Sequence, residues 1–159
     1  MEFRAAVITA SDRSYRGERK DESGPLVAEM LSAAGYRVVS CDILPDERQM
    51  LAERMKAICD KNEADLIVTT GGTGFSSRDY TPEATMDIAE RMVPGIPEAM
   101  RAYSLQKTNR AILSRAAAAI RGKTLIINLP GSPRAAKENL ECVIDALEHG
   151  LRMLIGEPE

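Results

Sequence analysis

At 159 residues, 44% hydrophobic and 28% charged, the chain has the length for one domain with a sizeable core, and its composition excludes a disordered or low-complexity protein. Twenty-one Lys and Arg against 24 Asp and Glu leave a net charge of −3, with no basic run of the kind a phosphate backbone demands, so bulk nucleic-acid binding is excluded. The longest uninterrupted apolar stretch, Ala116 to Ile120, is far short of the ~20 residues that span a bilayer, and three dispersed cysteines (Cys41, Cys59, Cys142) form neither a disulfide framework nor a C-x-x-C motif.

The chain opens on Met1-Glu2-Phe3-Arg4, without the basic and apolar regions of a secretory signal. Phe3 to Thr9 is a short β-branched run that reads as a buried parallel strand ending at Ser11-Asp12-Arg13-Ser14. A charged stretch, Tyr15 to Glu22, leads to Ser23-Gly24-Pro25, an N-cap followed by Pro in a first helical turn. That helix carries Leu26, Val27, Met30, Leu31 and Ala34 on one face and stops at Gly35. Tyr36 to Ile43 is predicted as the second strand, and Leu44-Pro45-Asp46-Glu47 caps a helix from about Arg48 to Asp60, with Met50 or Leu51, Met55 and Ile58 inward. Asp65 to Thr70 is the third strand, followed at once by Gly71-Gly72-Thr73-Gly74. A helix runs from Thr81 (N-cap) and Pro82 to Arg91, Pro94-Gly95-Ile96-Pro97 breaks it, and a second runs from Glu98 to about Lys107. Ile112 to Ile120 is small and apolar around Ser114-Arg115, and Arg121-Gly122-Lys123 turns it into the strand Thr124 to Leu129, adding an antiparallel edge pair. Pro130-Gly131-Ser132-Pro133 starts the last helix, which faces inward through Ala136, Leu140, Val143 or Ile144, Leu147, Leu151 and Leu154; Gly156 to Glu159 should fray. The alternation of strand, loop and helix predicts an α/β fold: a three-layer, mostly parallel sheet with helices on both faces, in a single domain over 1–159.

In such a sheet the ligand site lies outside the carboxyl ends of the strands, where loops meet helix N-termini and unpaired N–H groups face a crevice. Unusual residues gather in those loops: Ser11, Asp12, Ser14 and Gly17 after the first strand, Asp46 after the second, Thr69-Thr70-Gly71-Gly72-Thr73-Gly74 after the third, and Pro130-Gly131-Ser132-Pro133 after the late one. Three glycines in four residues let backbone approach an anion closely, with threonine hydroxyls as further donors, although alone such a run is equally a tight turn. It is neither the G-x-x-x-x-G-K-[ST] loop nor the G-x-G-x-x-G order of a dinucleotide fold. Next comes Ser76-Ser77-Arg78-Asp79-Tyr80-Thr81-Pro82-Glu83. Here Asp79 is either a helix cap beside a solvated Arg78 or a Mg²⁺ ligand near a phosphate loop; Asp46, otherwise a cap itself, offers the second carboxylate. Arg115 in an apolar run is costly to leave unpaired, so it should meet a carboxylate, across a subunit contact, or a ligand anion. His149 reads as a solvated helix residue, which leaves no Ser-His-Asp or Cys-His arrangement; the cysteines and the eight methionines read as core packing.

Taken in order, Thr69 to Thr85, Pro94-Gly95-Ile96-Pro97-Glu98-Ala99-Met100-Arg101, Ile112-Leu113-Ser114-Arg115 and Leu125-Ile126-Ile127-Asn128-Leu129-Pro130-Gly131-Ser132-Pro133 resemble the molybdopterin adenylyltransferase family of molybdenum cofactor biosynthesis, the MogA/MoaB type that also includes the gephyrin G domain. The resemblance covers nearly the whole chain. It implies a homotrimer that uses ATP and Mg²⁺ to adenylylate molybdopterin, releases pyrophosphate and passes the product to a downstream metal-insertion protein; the dispersed cysteines, for their part, point to a reducing cytoplasm. It places the functional and metal-binding acids on Asp46 and Asp79, the phosphate and nucleotide loop on Thr70, Gly71, Gly72, Thr73 and Gly74, and the pterin side on Ser114, Arg115 and the loop Pro130, Gly131, Ser132 and Pro133. Tyr80 stands where a small aliphatic residue is expected, and Gly122 with Asn128-Leu129-Pro130 leans toward the MogA branch. A pterin phosphate with a second pKa near ~6 is already ionised at neutral pH and needs no general base. Catalysis would then rest on positioning and on positive charge at the phosphates. The alternatives are a non-catalytic molybdopterin-binding or scaffold module (a MoaB-like paralogue) and a nucleotide hydrolase using the same rim.

Overall fold

The structure, a computed structural model, describes residues 1–157; Pro158 and Glu159, the end of the segment expected to fray, lie outside the described residues. Six strands form one sheet: β1 (Arg4–Ala10), β2 (Arg37–Leu44), β3 (Leu66–Thr70), β4 (Arg91–Met92), β5 (Ala118–Arg121) and β6 (Thr124–Leu129), in the order β2-β1-β3-β6-β5-β4. The first four in that order are parallel, and β5 and β4 complete the sheet antiparallel to their neighbours. Around it lie α1 (Asp12–Tyr15), α2 (Ser23–Ala33), α3 (Arg48–Asp60), α4 (Thr81–Ile88), α5 (Gly95–Leu105), a 3₁₀ turn (Asn109–Leu113) and α6 (Pro133–Ile155).

Because side chains alternate along a strand, β1 sends Ala5 and Val7 to one face and Ala6, Ile8 and Ala10 to the other. The first face joins Leu66, Val68, Leu125, Ile127 and Leu129 beneath Val27 and Leu31 of α2, Met100 of α5 and the Ala136/Leu140/Val143/Leu147/Leu151 stripe of α6. The second joins Ile67 and Ile126 beneath Leu51, Met55 and Ile58 of α3 and Ala84 and Ile88 of α4. This is the predicted three-layer α/β fold with its antiparallel edge. The uniformly buried β3 and β6 are central, whereas β2, at the edge, alternates between exposed and half-buried residues.

The boundaries differ where tertiary pairing overrides local pattern. The helix expected to reach Arg91 stops at Ile88, because Arg91 and Met92 pair with Ile120 and Ala119 of β5. The Pro94–Pro97 break is itself the start of α5: Pro94 is the N-cap and Pro97 lies in the first turn, where a missing N–H costs nothing. Ser114 to Ala117 lead into β5 rather than belonging to it. Leu51, not Met50, faces inward; Ala34 is exposed, and Cys41 points outward from the edge strand. Met55 and Met100 are buried, but Met50, Met86, Met92 and Met153 are exposed, so the methionines are not mainly core filler. Gly156 does not fray: in a left-handed conformation it caps α6, and the N–H of Glu157 donates to Arg152 O at 3.0 Å.

Candidate active site

The chain places β2 on one side of β1 and β3 on the other, so the strand order reverses between β1 and β3, where an open α/β sheet forms its crevice. A cleft of about 320 Å³ opens there, lined by Ser11, Asp46, Thr70, Gly71, Gly72, Asp79, Gly131 and Ser132, together with Arg19, Lys20 and Asp21. The glycine loop crosses the strand ends. Gly71 donates its N–H to Leu129 O at 3.1 Å with φ 94°, and a Cβ there would strike the Ala10 carbonyl. Gly72 also has positive φ, and its Cβ would run into Thr81 Oγ1. Among the described residues the N–H groups of Gly72, Thr73, Gly74 and Phe75 meet no protein acceptor, which makes a row of donors suited to anionic oxygens. Across the cleft, Ser132 caps the long helix α6, its hydroxyl accepting the Ala135 N–H at 3.1 Å.

A second cleft, of about 400 Å³, shares Ser132 with the first and is lined by the next two loop residues, Thr73 and Gly74; Arg101, Arg110, Ser114 and Pro130 also line it. Ser114 reaches this place because β5 is antiparallel: its leading residues arrive at the rim to which the parallel strands bring their carboxyl ends. Asn128 holds that junction from below, accepting the Ala117 N–H at 3.1 Å and donating to Thr69 Oγ1 (3.1 Å) and Thr85 Oγ1 (2.9 Å).

The two acids singled out from sequence meet at the first cleft. Asp46 Oδ2 accepts the Asp12 N–H at 2.9 Å, and the Asp46 N–H returns a bond to Asp12 Oδ1, also 2.9 Å. Burial, and then the charges of Asp12 and Asp79, push the Asp46 carboxyl above its ordinary range. Arg78 is not merely solvated: it donates twice to Asp12 at 3.0 Å and once to Glu47 at 3.0 Å, and holds Asp12 below the usual carboxylate range. Asp79 Oδ2 accepts the Ser76 N–H at 3.0 Å. Oδ1 of Asp46 and Oδ1 of Asp79 accept no hydrogen bond among the described residues, and the buried hydroxyls of Thr70 and Thr81 beside them have no partner. Hard oxygens with spare lone pairs suit Mg²⁺, which binds through one or two carboxylates completed by phosphate oxygens and water. No cluster of three or more His, Cys, Asp or Glu among the described residues could hold a metal, so these two carboxylates would need such partners.

Arg115 meets a carboxylate, as its burial cost requires, but within the chain: Nη1 donates to Glu83 Oε1 and Oε2 at 2.9 and 2.7 Å. It lines neither cleft. Sequence reading missed Asp21 and gave Ser23 the wrong role, as an N-cap. The N-cap of α2 is Glu22, whose side chain makes no capping bond; Asp21, just before it, accepts the Gly24 N–H at 3.0 Å and the Thr9 hydroxyl at 2.8 Å, and Ser23 is the first helical residue. Ser23 instead donates to Gly131 O at 2.6 Å and ties α2 to the late loop. The run Asp21-Glu22-Ser23 holds two side chains of capping type on either side of Glu22, and nothing local selects between them. His149 is exposed on α6, in keeping with its reading as a solvated residue.

Fold and rim together define the class: an α/β protein with a glycine loop of unpaired N–H groups, two carboxylates with free edges and two adjoining clefts. The chain belongs to the molybdopterin-binding family of molybdenum cofactor biosynthesis, described as "Probable molybdopterin binding domain", which it matches over residues 6–149. It is 43% identical over 152 residues to the molybdopterin adenylyltransferase of Helicobacter pylori J99, covering 94% of this chain and 86% of that one. It is 39% identical over 146 residues to the Escherichia coli K12 protein of the same name, covering 91% and 75%. The crystal structure of the molybdopterin biosynthesis enzyme MoaB from Thermus thermophilus superposes with a TM-score of 0.92 at 44% identity, covering 98% of both chains.

Proposed function

We propose that the chain is a molybdopterin adenylyltransferase acting in molybdenum cofactor biosynthesis, with ATP and molybdopterin as substrates, Mg²⁺ as the required ion and pyrophosphate as the second product. The observation that carries this reading is a single glycine loop that serves two clefts: Gly71, Gly72 and Asp79, together with Asp46, line the first, Thr73 and Gly74 line the second, and the two clefts share Ser132. ATP occupies the cleft between β1 and β3, with its phosphates on the glycine loop. Molybdopterin occupies the cleft of Ser114, Arg101 and Arg110, whose cations suit its phosphate.

An oxygen of the pterin phosphate attacks the α-phosphorus of ATP; a P–O bond forms there as the bond from the α-phosphorus to the β-bridging oxygen breaks, and pyrophosphate leaves. The nucleophile is ionised at neutral pH, with a second pKa near ~6, so no histidine or other base is required. The barrier is repulsion between anions. The loop N–H groups and the α6 N-terminus oppose it with fixed dipoles that need no reorganisation. Mg²⁺, held by Asp46 and Asp79, would neutralise charge on the α-phosphate and the leaving pyrophosphate. One loop, through Gly71 and Gly72 on the first cleft and Thr73 and Gly74 on the second, keeps the two substrates adjacent, so that positioning supplies much of the acceleration.

The test is chromatographic detection of adenylylated molybdopterin after incubation of the protein with molybdopterin, ATP and Mg²⁺, beside the Asp79→Asn variant. Wild type should yield product, and the variant, folded and still binding molybdopterin, should fall by about 100-fold or more. Wild-type turnover in the variant would remove the metal role. Molybdopterin binding without product in either protein would make the chain a carrier.

A further inference from the structure

The Arg115–Glu83 pair lies outside both clefts, yet it braces the loop whose Gly71, Gly72 and Asp79 line the first and whose Thr73 and Gly74 line the second. Arg115 donates its backbone N–H to Thr73 O at 2.9 Å, Nε to Gly74 O at 2.8 Å and Nη2 to Asp79 O at 2.7 Å, while Nη1 takes both oxygens of Glu83. One residue therefore spans residues 73 to 83 and fastens both ends of the loop carrying Asp79. Four guanidinium bonds against five N–H donors leave a single one for any ligand.

The consequences reach the reacting groups through peptide geometry. In a trans peptide the C=O and the following N–H point to opposite sides, so Gly74 O held toward Arg115 aims the Phe75 N–H away from it. With Asp79 O likewise fixed, the backbone of Asp79 is held at its carbonyl and, through the Asp79 N–H bond to Ser76 O at 3.0 Å, at its amide; its carboxylate accepts the Ser76 N–H in return. Glu83 stands in the first turn of α4 and, by pairing with Nη1 through both oxygens, holds the guanidinium so that Nε and Nη2 face the two carbonyls. A lysine has one ammonium and cannot reproduce that fork.

We propose that Arg115 and Glu83 are positioning residues, a clamp that aligns the Gly72–Phe75 donors and the Asp79 carboxylate rather than a contact to the pterin. The inference rests on the adenylyltransferase reading for its effect on rate, but not for its effect on the loop or on metal affinity. Arg115→Lys and the milder Glu83→Gln, which keeps an acceptor, are compared with wild type in four measurements: thermal melting, amide hydrogen exchange of the ligand-free protein, Mn²⁺ affinity by electron paramagnetic resonance without substrate, and steady-state adenylylation with molybdopterin titration. Both variants should melt cooperatively. Amides from Gly72 to Asp79 should exchange several-fold faster with β6 and α6 unchanged, Mn²⁺ affinity and kcat should each fall about tenfold, and molybdopterin Kd should stay within about twofold, as expected for a residue that makes no ligand contact.

A tenfold rise in molybdopterin Kd with kcat unchanged would make Arg115 a ligand contact and overturn the proposal. So would faster loop exchange with Mn²⁺ affinity and kcat unmoved, or failure of both variants to fold, because the pair would then be merely structural. A wild-type protein that binds Mn²⁺ but makes no product refutes the transferase reading alone; the clamp is then judged by exchange and Mn²⁺ affinity, and unchanged values in the variants refute it too.

Discussion

Asp46 combines two demands that pull against each other. Burial and the neighbouring charges of Asp12 and Asp79 raise its pKa, so the folded state holds its proton more tightly than the unfolded chain does. The sign follows by linkage: stability falls as pH rises from the ordinary carboxylate value through the raised one, and at neutral pH the ionised Asp46 works against folding. Asp46→Asn, whose amide oxygen can still accept the Asp12 N–H, should therefore melt at a higher temperature than wild type at pH 7 while losing adenylylation. The gain should shrink below the ordinary carboxylate range, and an unchanged or lower melting temperature at pH 7 would refute the argument. Tyr36 shows the same linkage with no function attached. Burial raises its phenol to about 12 from 10.0, and its hydroxyl has no hydrogen-bond partner among the described residues. Its contribution is intact below pH 10 and is lost as pH climbs toward 12. Tyr36→Phe should stay within about 1 kcal/mol of wild type at pH 8 and lose less stability by pH 11 in urea titrations.

At this scale legibility divided by range. Asp46 and Asp79 could be read because each sits beside its own strand end or helix start. The partners of Arg115 could not, since Glu83 is 32 residues away and becomes a neighbour only when α4 and the lead into β5 meet. The fork of Arg78 onto Asp12 depends in the same way on a contact 66 residues long.

The glycine loop is an element whose shape other elements dictate. Gly71 needs its left-handed φ of 94°, and the space a Cβ would take is filled by the Ala10 carbonyl at the end of β1. Gly71→Ala should therefore destabilise the fold by at least about 2 kcal/mol and cost more in adenylylation than in melting temperature, because relief of the clash displaces the neighbouring donors. Equal stability in denaturant melts would contradict this. Among elements, buried strands and the α6 stripe were legible because their periodicity reflects burial directly. The end of α4 and the start of α5 were not, because the pairing of Arg91 and Met92 with β5 and the N-terminal tolerance for Pro97 are invisible to a helical pattern.

In the whole molecule, four parallel strands and one antiparallel strand bring their loops to a single rim, and the two clefts there meet at Ser132 without merging. Separate clefts imply separate binding. Saturation with an ATP analogue that cannot be cleaved between the α and β phosphates should leave molybdopterin Kd within about threefold, since the two ligands touch different walls. Strict competition in the titration would mean one shared cleft. The mostly parallel sheet was legible from the alternation of strands and helices, whereas the pairing of β4 with β5 was not, because a two-residue strand leaves no periodicity to read.

The seam between β3 and β6 joins residues 66–70 to residues 125–129, and the glycine loop is anchored across it by the Gly71–Leu129 bond. A ribosome making this protein thus releases the loop more than 50 residues before the strand that fixes it. Until β6 emerges, β3 has one unpaired edge, and the nascent chain has all of its loop glycines but not the Leu129 carbonyl that anchors them. Translation must pass Leu129 before any fragment of this protein could trap substrate, and an exposed edge of Leu66 to Thr70 is the segment a chaperone would have to shield in the meantime.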